Sequence, residues 1–104
     1  MTKQEINFTL GKELFGYSYD QREDGFFDTE DGTENGKNYI ENWQVVVEKL
    51  KSLENFTEFW ITHKNSCILS FYNGANNEQF IELSDTIGEA VCRAAVEYLK
   101  AVGK

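Results

Sequence analysis

Few side chains in this sequence are of a kind that does covalent chemistry. There is one histidine, His63, and there are two cysteines, Cys67 and Cys92. A nucleophile and its base must lie within hydrogen-bond reach of one another. His63 precedes Lys64-Asn65, a turn sequence, so it reads as an exposed strand-end residue. Neither cysteine has a visible cationic site to lower its pKa, and both read as core thiols. With one imidazole and no CxxC pair, a zinc cluster is excluded. Asp20, Asp24, Gly25, Asp28 and Asp31 trace the outline of a calcium-binding loop. Its third position would be Arg22, a cation aimed at a cation, and its last lacks the bidentate Glu. A solvated acidic loop is the better reading, with weak divalent-cation binding left open. Gly32 to Gly36 lacks the Lys-Ser/Thr ending of a phosphate cradle. No catalytic residue, metal site or cofactor is expected, and an enzyme ranks last among the functional classes.

Binding chemistry is easier to find. The chain carries a formal charge of −8. Asp20, Glu23, Asp24, Asp28, Glu30, Asp31 and Glu34 lie between Gly16 and Gly36 with Arg22 as the only base there, so −6 sits in that segment. Nucleic acid is an unsuitable partner, because phosphate contacts need clustered Lys and Arg. A basic protein suits, since opposite charge speeds encounter. Asp24, Asp28, Glu30 and Asp31 are the expected contact residues. A second candidate surface is aromatic: Trp60, Tyr72 and Phe80, with Ile68, share one face of the expected sheet. That face could floor a ligand pocket or an interface, although a covering helix is the commoner arrangement.

The elements that must position these groups follow from periodicity. At 104 residues the chain is expected to form a single domain, 1–104, with the acidic loop 16–36 inside it. No apolar run reaches the roughly 18 residues of a membrane span, and Met1 to Asn7 lacks the apolar core of a signal peptide. Isolated cysteines point to a reducing compartment. In the last twenty or so residues, Thr86 and Glu89 have capping-box spacing, and Ile87, Val91, Ala94, Tyr98 and Val102 form a helical stripe that Gly103 can end. A second helix is expected over 38–54, with Tyr39, Trp43, Val46, Val47, Leu50 and Leu53 on its apolar face. Residues 2–15 are ambiguous: Thr2/Glu5 and the Ile6, Leu10, Leu14 spacing favour a helix, whereas Ile6, Phe8 and Leu10 also alternate as a strand would. Helix is the reading adopted. Phe26 and Phe27 are expected to dock on the body.

Three strands follow, near 57–63, 67–72 and 78–83, joined by Lys64-Asn65 and Asn73-Gly74-Ala75-Asn76 into an antiparallel meander. Alternation groups Phe59, Ile61, Cys67, Leu69, Phe71, Ile81 and Leu83 on one face, and Trp60, Ile68, Tyr72 and Phe80 on the other. The expected class is α+β, in the order α-α-β-β-β-α.

Two stretches carry a resemblance. Glu89-Ala90-Val91-Cys92-Arg93-Ala94-Ala95-Val96 resembles the Glu-Ala-Ile-Cys-Arg-Ala-Ala-Leu ending of the phage ABA sandwich domain, and Trp43-Gln44-Val45-Val46-Val47-Glu48-Lys49-Leu50 is similar to that family's Trp-x-Val-Val-Glu-Lys-Leu helix. The resemblance implies an α/β/α sandwich in a small phage or prophage protein without catalytic residues, working in the host cytoplasm. The resulting expectation is a non-enzymatic accessory protein that binds a basic host protein, such as a nucleic-acid-binding defence enzyme, through its acidic loop. The alternatives are a small-molecule-sequestering protein or a structural homo-oligomer, a homodimer included, using the aromatic sheet face.

Overall fold

The computed structural model describes residues 1–20, 25–27, 38–74 and 76–102; the side chains of 18–20, 25–27 and 73 are not described. Asp24, Asp28, Glu30, Asp31 and Gly103 lie outside the described residues, as do the side chains of Phe26 and Phe27.

The first helix, α1 (Lys3–Thr9), starts at the capping box that the sequence suggests: Thr2 Oγ1 accepts from Glu5 N–H, and Glu5 Oε1 accepts from Thr2 N–H at 2.8 Å. These bonds hold the Glu5 carboxyl below its ordinary pKa. The helix then widens into a π-helical turn, Leu10–Leu14, where Phe15 N–H reaches back to Leu10 O. Ile6, Leu10 and Leu14 are all buried, so the helical reading of this segment holds over the strand alternative. Gly16 ends it at φ +71°, a conformation that costs a residue with a Cβ.

Where the sequence suggests only loop, two short strands pair antiparallel: β1 (Ser18–Asp20) with β2 (Gly25–Phe27). The second helix is shorter than expected. Asn38 Oδ1 accepts from Glu41 N–H, but residues 39–42 form turns and α2 proper is Trp43–Lys51. Tyr39, Val46, Val47 and Leu50 are buried, and Glu48 and Lys51 face solvent.

Strands β3 (Phe56–His63), β4 (Ser66–Asn73) and β5 (Asn76–Leu83) form an antiparallel sheet in that order. The last helix, α3 (Ile87–Val102), packs against β4 and β5 on one side and against α1 and α2 on the other. Ala90, Val91, Cys92, Ala94, Ala95, Val96 and Tyr98 are all buried, so it is apolar nearly all round, as a helix between two layers must be. Its cap is half of the expected box. Thr86 Oγ1 accepts from Glu89 N–H at 3.2 Å, but the Glu89 carboxylate turns to Arg93 instead of back to the cap.

The α+β class and the order α-α-β-β-β-α are as the sequence indicates. The stacking is helix on helix on sheet, because α1 and α2 back α3 and α3 lies on the sheet. Three ties fasten the segment before α2 to this stack. Tyr39 N–H donates to Asn7 Oδ1 at 3.0 Å, Cys92 Sγ donates to Tyr39 O at 3.4 Å, and Phe15 stacks on the Tyr39 ring at 4.8 Å. On the sheet side, Phe71 meets Phe80 at 5.5 Å and Tyr98 edge-on at 4.6 Å, and the Tyr98 hydroxyl donates to Asn55 Oδ1.

The tightest approach is at Gly88, in the first turn of α3. A Cβ there would overlap the carbonyl oxygen of Ile40 and crowd Trp43. Backbone cannot give way as a side-chain tip can, so Gly88→Ala is expected to cost about 2–3 kcal/mol, an overpacking penalty. Urea unfolding followed by circular dichroism measures it, and Gly16 and Gly74, with open space around them, lack this clash.

Candidate interaction surface

Alternation and register decide which side chains each face of the sheet presents. In antiparallel strands, directly opposed residues share a face. Phe59 opposes Leu69 and Leu69 opposes Phe80, so these three point to α3 along with Cys67 and Phe71. Trp60 opposes Ile68 and Ile68 opposes Ile81, forming a row across all three strands on the other face. Tyr72 and Leu83 fall on that outer face too. Between Tyr72 and the apolar row lies a polar row, Glu58–Ser70–Gln79.

This corrects the sequence grouping of Trp60, Tyr72 and Phe80. Trp60 and Tyr72 do share a face, but Phe80 lies on the other one, against Phe71, while Ile81 and Leu83 take the outer face. The cause is register. Asn73 pairs with Asn76, and a single-residue difference in pairing inverts every side chain of the strand.

The expectation that a helix covers Trp60 and Tyr72 is likewise not met among the described residues. The relative exposures are 59% for Trp60, 45% for Tyr72, 64% for Ile81 and 75% for Leu83. Trp60 Nε1 donates to Glu58 Oε2 at 3.4 Å, which leans the ring along β3. Isolated exposed apolar residues need no explanation; here Trp60 and Ile81 flank the half-buried Ile68 in one registered row on the sheet's outer face.

The remaining chemical groups fall elsewhere. His63 is exposed at the end of β3, as expected. Cys67 and Cys92 are buried and unbridged. Burial pushes Cys67 up to about 11, with the Glu82 charge adding to it, and pushes Cys92 up to about 12, with Cys67 and Glu89 adding. Arg93 anchors an acid of its own helix: its Nε and a terminal nitrogen donate to Glu89 Oε2 at 3.0 and 2.8 Å. Arg93 also lines a cavity of about 140 Å³ with Glu82, Glu97 and Lys100. Burial raises the Glu82 carboxyl, helped by Glu97 and opposed by Arg93. A groove of about 390 Å³ runs between α1, the 38–43 segment and the start of α3. Among the described residues, no group of His, Cys, Asp and Glu is placed to hold a metal ion, and no helix is long and apolar enough to cross a membrane.

No family model matches this chain, that of the phage ABA sandwich domain included, and no curated protein matches it in sequence. A solved structure does. The fold is similar to that of a phage protein from Bacillus cereus, with a TM-score of 0.58, 20% identity, and 92% of this chain and 90% of the other covered. What is shared at that identity is the fold, over nearly the whole of both chains.

The thiols yield a check on the packing beneath the open face. Both titrate higher in the folded chain than unfolded, so they stay protonated at pH 8 while an unfolded thiol near 8.5 is partly ionised. Labelling by a thiol reagent at pH 8 is expected to be at least about a hundredfold slower in the native protein than in urea. As pH rises past about 8.5 the unfolded chain loses these protons first, so the thiols' contribution to stability is constant at lower pH and falls from there toward 11–12.

Proposed function

We propose that this chain is a phage-type accessory protein that acts by binding a protein partner, not by catalysis, and that the open face of its sheet is the contact surface. The observation that carries this reading is the row Trp60–Ile68–Ile81, exposed at both ends among the described residues, with Leu83 beside it and Tyr72 beyond the polar row. Exposed aromatic and large aliphatic side chains gathered on one face are the usual anchors of protein interfaces. The phage origin rests on the fold it shares with the Bacillus cereus phage protein, and working in the host cytoplasm follows from that origin.

The partner's sign follows from charge. A chain at −8, with −6 of it between Gly16 and Gly36, favours a basic host protein, and a nucleic-acid-binding defence enzyme has that character. Asp24, Asp28, Glu30 and Asp31 are proposed to steer the encounter, and the sheet face to hold the complex. Steering is screened over about 8 Å at physiological salt, whereas apolar burial is not.

The test is capture of a basic protein from host lysate, followed by kinetics with the purified partner. Trp60→Ser with Leu83→Ser is expected to speed dissociation at least about tenfold, the loss of one or two buried anchors. Neutralising the four acids to Asn and Gln is expected to slow association and flatten its salt dependence, with the melting temperature unchanged. Kinetics that neither change alters would remove the proposal.

A further inference from the structure

The sheet leaves one of its edges open in an unusual way. Strand β5 is terminal in the order β3-β4-β5, and among the described residues no backbone beyond β4 pairs with it. It runs for 8 residues in unbroken register. It has no bulge, no proline and no lysine, three of the devices by which edge strands are blunted, and its charges, Glu78 and Glu82, stand on the inner side. The opposite edge, β3, has two register irregularities, at Phe56/Glu58 and Ile61/His63.

The backbone of β5 has a definite polarity. Ser84 N–H donates to Asn65 O at 3.2 Å, in line with the ladder. Inward and outward backbone groups alternate along an antiparallel strand. Residues 78, 80 and 82 therefore turn their N–H and C=O to β4, and Asn77, Gln79, Ile81 and Leu83 turn theirs to the free edge. Those same four carry their side chains on the outer face. Ile81 and Leu83 thus offer an exposed apolar side chain and an unpaired backbone together.

We propose that a second copy of this chain adds to that edge, β5 against β5 in antiparallel, about a two-fold axis at Ile81. Charge selects the copy and the register. A pairing centred on Phe80 would set Glu78 opposite the partner's Glu82, and one centred on Glu82 would set that acid against itself; like charges directly opposite destabilise a sheet. Centring on Gln79 also avoids this and pairs residues 76–82, but it leaves Leu83, the most exposed apolar residue of the strand, opposite residue 75 and unpaired, whereas centring on Ile81 pairs only 79–83 and keeps Leu83 within the ladder. Centring on Ile81 sets Ile81 opposite the partner's Ile81, Gln79 opposite the partner's Leu83 and Phe80 opposite the partner's Glu82. No acid meets an acid, and the strand complements itself, as a two-fold interface requires. The product is a six-stranded sheet whose outer face runs Trp60–Ile68–Ile81 from one copy into the same row of the other. It stands whether or not a host partner binds that face.

Sedimentation velocity over a concentration series, at low and high salt, is the first measurement. The expected result is a dimer that tightens with salt, because two chains of −8 repel. Ile81→Cys is expected to give a disulfide-linked dimer on mild oxidation, since Cα atoms across a directly paired position lie about 5.5 Å apart. Gln79→Cys is expected not to, because the two copies of residue 79 would be about 13 Å apart, four residues along the strand. Wild type controls for the buried thiols. Gln79→Pro removes only an outward N–H, so it is expected to give a folded monomer. A wild type that stays monomeric throughout overturns the proposal and leaves the edge to another protein's strand. A dimer in which Gln79→Cys links as fast as Ile81→Cys overturns it as well.

Discussion

The structure depends on burying one helix from both sides. α3 lies between the sheet and the α1/α2 layer, and it can do so because its surface is made of Gly88, Ala90, Ala94, Ala95 and residues of moderate size. At Gly88 the approach is close enough that the absence of a Cβ is a steric necessity, since the Ile40 carbonyl occupies that space. Once α3 is enclosed, the chain has no helix left among its described elements for the far side of the sheet. The open face and the burial of α3 are two results of the same arrangement.

That arrangement separates the core from the exposed face. Side chains that hold the fold together, such as Phe71, Leu69, Val91 and Leu50, are on the inner side. Trp60, Tyr72, Ile81 and Leu83 add little to the core and are exposed on the outer side. The charge has a matching role. A chain with an exposed apolar row risks indiscriminate association, and −8 opposes that while favouring partners of opposite sign. The two thiols on the inner side are held as neutral, buried hydrophobes and take no part in either surface.

Much of the fold was legible where a local rule and the tertiary environment agree. Thr2 and Glu5 form their box, Ile6, Leu10 and Leu14 are buried, and the meander occupies nearly the expected residues. What escaped the sequence depends on partners distant in sequence or on small differences in pairing. Glu89 has the cap spacing, yet Arg93 one turn on offers a charged donor and takes the carboxylate. Residues 39–42 stay outside α2 because Asn7 and Cys92 hold Tyr39 in place. The aromatic surface was half legible. Trp60 and Tyr72 were found, but Ile81 and Leu83 were assigned inward and Phe80 outward, since the pairing of Asn73 with Asn76 is a matter of turn geometry and apolar residues stand on both sides of β5. Asp24, Asp28, Glu30 and Asp31 are plain in the sequence and lie outside the described residues.

The central claim is that the outer face of the sheet is uncovered in the folded chain and therefore free for a partner. The unfolding free energy of the triple variant Trp60→Thr, Ile81→Thr and Leu83→Thr, measured in urea at a concentration where the protein is monomeric, tests it most directly. Threonine keeps the strand preference and removes the apolar surface. If the face is open, the variant unfolds within about 1 kcal/mol of wild type, as surface substitutions do. A loss of several kcal/mol, about 1.5–3 for each large side chain taken from a core, would mean that the face is covered and would contradict the account.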